Sequence, residues 1–147
     1  MKQVVIAMAL ASLAGGAAAN EVSGSFEVRV KPVPGEERAN DSRGRMVFDK
    51  TFSGPLAGRS EGEMLTAGSP KSGSGGYVAL ERFEGTLEGR EGSFVMQHSG
   101  IMESGKYDLD IKIVPDSGTG QLSGIRGSAK ITITGGKHFY TLNYTLP

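Results

Sequence analysis

Cysteine and tryptophan are both absent from the 147-residue chain. Without a thiol there can be no disulfide, thiolate metal site, cysteine nucleophile or lipidated N-terminal cysteine. Histidine is nearly absent too. His98 and His138 are the only two, and no H-x-H or H-E-x-x-H spacing joins them, so no metal site is expected. Excess charge of either sign is also missing. Lys plus Arg and Asp plus Glu each count 16, which leaves no broad basic field to hold a phosphate backbone and excludes nucleic acid as an expected partner. No nucleophile elbow, dinucleotide fingerprint or P-loop occurs, so no cofactor is expected. Beyond residue 20 no window carries a helical apolar stripe of useful length, because glycines interrupt it.

What is present begins with a leader. Met1-Lys2 precedes an uncharged run from Val4 to Ala14, then Gly15-Gly16 and Ala17-Ala18-Ala19. A basic start, a short apolar stretch and a small-residue site are the three parts of a cleaved secretory signal, and the stretch is too short to span a bilayer. Residues 1–19 are therefore expected to be a signal peptide and 20–147 a single domain, exported to the periplasm or the medium. The remaining length can build a core without staples.

Glycine is abundant, at 23 residues, well above the roughly 7% of ordinary domains. Around it, stretches alternate apolar and polar residues with the period of a half-buried strand. Tyr107, Leu109, Ile111 and Ile113 oppose Asp108, Asp110 and Lys112. Phe26, Val28 and Val30 oppose Glu27, Arg29 and Lys31. Ala129, Ile131 and Ile133 share one face, as do Tyr140, Leu142, Tyr144 and Leu146. Further strands are expected over Arg45–Phe52, Glu61–Ala67, Gly76–Glu84 and Gly92–Met102, about eight in all, mostly shorter than a membrane-spanning strand. Residues 31–44 read as a long loop and 69–76 as a hairpin tip. The motif G-x-L-x-G recurs at Gly54–Gly58, Gly85–Gly89 and Gly120–Gly124. Bends repeated at the corners of a closed sheet account for it, and closure removes the edges of a β-prone chain. The fold class is all-β, a small antiparallel closed barrel.

Longer blocks carry a family resemblance. DKTFSG from Asp49, GYVALE from Gly76, GTLEGREGSFVMQHSG from Gly85, VPDSGTGQLSGIRG from Val114 and Gly136-Lys137-His138 together resemble the bacterial domain of unknown function family 3224. That resemblance implies a barrel similar to the allene-oxide-cyclase and dirigent barrels, with no established activity.

Candidate site residues follow from strand phase. Tyr77, Ala79, Glu81 and Phe83 share a face, as do Phe94, Met96 and His98, and Met46, Phe48, Lys50 and Phe52. A carboxylate among apolar neighbours needs a partner or a raised pKa. One placement gathers Lys50, Glu63, Glu81 and one of Gln97 or His98 inside the barrel. The other lets Lys50 snorkel to water and leaves Glu63 and Glu81 on the solvated wall. Tyr144 joins the candidate binding residues, and Glu81 and His98 are the candidates for catalysis. His138 reads as a solvated turn residue.

The expected function is an exported barrel that binds a small apolar molecule, or a partner, in its cavity or on its surface. Two alternatives stay open: an isomerase or cyclase using an interior carboxylate, and a small outer-membrane barrel. No stable membrane insertion is expected. Outward Val95, Val114 and Phe139 permit a homo-oligomer.

Overall fold

The computed structural model describes residues 17–35, 42–69 and 72–147. Residues 1–16 of the expected signal peptide and parts of two loops lie outside them. Eight antiparallel strands follow one another around a closed barrel: β1 (Asn20–Pro32), β2 (Arg43–Ser53), β3 (Leu56–Ser69), β4 (Ser74–Leu87), β5 (Arg90–Glu103), β6 (Lys106–Ile113), β7 (Arg126–Thr134) and β8 (Lys137–Thr145). β1 closes the ring against β8, with Val22 opposite Leu142.

Most strands are longer than their alternation predicts, and β3, β4 and β5 each run 14 residues. The glycines that read as breaks are the reason. Gly58 and Gly85 are direct cross-strand partners, both at positive φ (149° and 156°). A Cβ on either would collide with the opposing strand's backbone. Two glycines let the ladder pass through the bend instead of ending there.

Inward faces match the predicted alternation. Phe26, Phe52, Phe83, Phe94, Leu142 and Tyr144 point inward and are buried in one core cluster. That core fills one end of the barrel, where the start of β1, the end of β8 and the β2–β3 and β4–β5 turns lie. The connector between β6 and β7 closes this end. It is hydrogen-bonded along β5, from Val114 N–H to the Val95 carbonyl and from Thr119 N–H to the Ser93 carbonyl. A single 3-10 turn, Gly120–Leu122, then drops Leu122 into the core. Here the third G-x-L-x-G copy departs from the predicted sheet corner, because Gly120 and Gly124 shape this turn rather than a strand. The three motif leucines, Leu56, Leu87 and Leu122, are all buried in the same cluster. Tyr140 ties the end together: its hydroxyl accepts from Leu56 N–H at 2.9 Å and donates to the Leu56 carbonyl at 3.2 Å.

The other end is open among the described residues. It carries the β1–β2, β3–β4, β5–β6 and β7–β8 connections. Positions in the inward phase become exposed there, with Val30 at 46%, Tyr107 at 74% and Ile133 at 62%. His138 lies within β8, half-buried with its ring 5.2 Å from Phe26. It does not occupy the predicted solvated turn, because β8 begins one residue before it.

Candidate functional site

Where the packed end meets the open end, three charged or titratable side chains from different strands converge. Lys50 (β2), Glu81 (β4) and His98 (β5) all fall in the inward phase of their strands, and all are buried, Glu81 completely. Lys50 Nζ donates to Glu81 Oε2 at 2.8 Å. Ser60 of β3 donates its hydroxyl to Glu81 Oε1 at 2.5 Å. His98 Nε2 also stands 2.8 Å from Oε2, yet its geometry forms no aligned hydrogen bond with any described residue. This close contact and the Lys50 ion pair both fall on the same carboxylate oxygen.

The sequence makes room for this cluster with small residues. Gly62 sits opposite both Phe48 and Glu81, and a Cβ there would run into the Phe48 ring. The Lys50 ammonium lies 4.9, 5.2 and 5.9 Å from the ring centroids of Phe26, Phe48 and Phe52, an aromatic enclosure that suits a desolvated cation. Burial alone would raise the Glu81 carboxyl. The His98 contact and the Lys50 charge outweigh it and hold the group at about 2.

Above this floor the open end is lined by Met46, Met64, Tyr77 and Met102, all half-buried, with Val30, Tyr107 and Ile133 at the rim. Burial raises the Tyr77 hydroxyl pKa, with further contributions from the charges of Glu81 and Tyr107. Every methionine beyond residue 20 faces the interior, which gives the lining a soft, adaptable surface. Alternation in β2 and β3 places Met46 opposite Met64.

Three candidates stand elsewhere. Glu63 projects outward to Arg45, with 3.0 Å between them, because the interior phase of β3 is held by Ser60, Gly62 and Met64. Gln97 is exposed, since the period of a strand cannot turn both Gln97 and His98 inward. Tyr144 lies at the closed end, where its hydroxyl donates to Glu88. Ser60 is the member that strand patterning missed. Its only signal was its in-phase spacing from Gly62 and Met64.

A groove of about 1040 Å³ lies against the wall over β1 to β5. Leu65, Val78 and Leu80 form its apolar centre, while Arg29, Arg45 and Glu61 line its sides. It is open to solvent and does not reach the Lys50 and His98 side chains.

A family model described as "Protein of unknown function (DUF3224)" matches residues 22–144. The chain belongs to the DUF3224 family. A solved DUF3224 protein of unknown function from Shewanella oneidensis MR-1 is 44% identical, with 88% of this chain and 99% of that one aligned at a TM-score of 0.82. No curated protein matches the chain. The DUF3224 barrel is thus common to both proteins.

Proposed function

We propose that this DUF3224 protein is an exported carrier or sensor that holds a small, elongated, uncharged apolar molecule in the open half of its barrel. The observation that carries this reading is the fully buried, ion-paired Glu81 beneath a lining of inward but solvent-reached apolar side chains. Eight-stranded barrels have room for one small ligand where side chains leave the interior unfilled. Lys50 is already matched by Glu81, so a second carboxylate would be desolvated without a cation of its own. His98, buried beside Glu81 at the floor of the open half, is the polar group that a hydroxyl or carbonyl at the end of the molecule would meet.

Catalysis by Glu81 fits less well. A carboxylate held near 2 is a weak general base at neutral pH. An outer-membrane barrel also fits less well, although the strands are long enough. Such barrels turn an apolar band to lipid. Here the outward positions include Glu27, Arg29, Asp49, Arg59, Glu61, Arg82, Asp110 and Lys130, all but half-buried Asp49 being exposed, while the aromatics of the described residues other than Phe139 face in. The export part of this reading rests on the signal peptide expected in residues 1–19.

The test is competition for the neutral fluorophore N-phenyl-1-naphthylamine. The probe is expected to brighten on binding and to be displaced by 1-dodecanol more effectively than by dodecanoate. No binding, or better displacement by the carboxylate, would overturn the reading.

A further inference from the structure

One seam of the barrel is incompletely closed. Between β6 and β7 only Ile111–Ala129 and Lys112–Ser128 pair, although both strands are fully described and run on toward the open end. Continuing the register would set Leu109 opposite Ile131 and Tyr107 opposite Ile133, but these residues do not pair. By contrast the β7–β8 ladder runs unbroken from Arg126–Thr145 to Thr134–Lys137. The backbone ladder of this seam is therefore split from the rim down to Ile111.

We propose that this split is a side portal through which an elongated apolar molecule enters the barrel, an inference that rests on the binding reading above. Both lips carry apolar side chains in the inward phase: Leu109 and Ile131 are half-buried against the core, and Tyr107 and Ile133 are exposed. The split ends beside the polar floor, because Ile111, its last paired residue on β6, is also the register partner of His98. A chain sliding in sideways would thus bring its leading polar end to His98 while its tail lay between the lips. Unpaired backbone on an edge invites strand addition. Outward Asp108, Asp110 and Lys130, all exposed, guard these edges against it, as charges do on natural edge strands.

The cysteine-free chain makes the test clean. In the full-length protein carrying Leu109→Cys and Ile131→Cys, the lips are joined as a disulfide or by a short bis-maleimide, and the link is verified by mass. Uptake of N-phenyl-1-naphthylamine is followed by stopped flow. The association rate is expected to fall about tenfold or more and, for the disulfide, to recover on reduction. A matched disulfide across the closed β1–β8 seam, Ser25→Cys with Phe139→Cys, partners in register, should leave the rate unchanged. Leu109→Trp with Ile131→Trp, which fills the split without a cross-link, should slow uptake as well. Wild-type rates in the linked and the Trp-filled proteins would overturn the portal while leaving the binding reading intact. Failure of the unmodified protein to bind the probe would overturn both.

Discussion

In the closed half of the barrel Phe83, Phe94, Leu87, Leu122 and Ile125 are fully buried, and the β6–β7 connector seals the end. In the open half the same strands present Val30, Tyr107 and Ile133 to water from inward positions, and the backbone ladder between β6 and β7 stops. Both halves obey one alternation of apolar-in and polar-out, so the difference lies in what fills and covers the interior. The packed half supplies the free energy of folding. The open half, free of that duty, tolerates a buried ion pair that contributes little net stability.

The sharpest way to break this comparison is to truncate each half in turn. Phe83→Ala is expected to cost about 3–5 kcal/mol in urea unfolding, whereas Tyr107→Ala, at an exposed rim position, should stay within about 0.5 kcal/mol. Equal costs would erase the distinction. Removing one partner of the floor comes next. Lys50→Met strands a buried carboxylate and should cost about 3 kcal/mol, while the double change Lys50→Met with Glu81→Leu should recover most of it. Recovery of stability with loss of the preference for dodecanol over dodecanoate would show that the pair serves binding rather than folding.

Acid sharpens the same point. Glu81 is held at about 2, below its ordinary 4.5, so its contribution is fully present above pH 4.5 and is lost as pH falls toward 2. Thermal melts of the wild type should drop through that window more steeply than those of Glu81→Gln. Gly85→Ala, at φ 156° and against the Ala57 carbonyl, should cost about 1–3 kcal/mol. Leu80→Lys in the groove is expected to change stability by no more than about 0.5 kcal/mol and to leave probe binding as it was.

Much of the barrel was legible in the sequence because period-2 alternation decides which face is buried. Phe94, Met96 and His98 read as one face and lie inward; Ala79, Glu81 and Phe83 also read as one face, and of the two placements open for Glu81 the structure takes the interior one. β3 misled because its bulkier apolar side chain, Leu65, faces out over the groove, while Ser60 and Gly62 face in. Those small residues leave room for the Glu81 carboxylate and the Phe48 ring, and a pattern that looks for hydrophobic bulk assigns Glu63 to the wrong side. The third glycine motif misled for a related reason, since a Gly-flanked leucine serves a 3-10 turn as readily as a bend. The split seam left no trace. β6 and β7 each read as sound strands, and whether they pair along their length depends on where the connector over residues 114–125 sets the second strand.

The central claim is that the open half is the binding chamber, and methionine methyl resonances report on it directly. Beyond the expected leader the chain has four methionines, and Met46, Met64 and Met102 line the open half while Met96 is buried beside the floor. On addition of 1-dodecanol to protein labelled with ¹³C at the methionine methyls, the signals of Met46, Met64 and Met102 are predicted to shift. If all four stayed in place while dodecanol still displaced the fluorophore, the ligand would lie outside the barrel and the account would be contradicted.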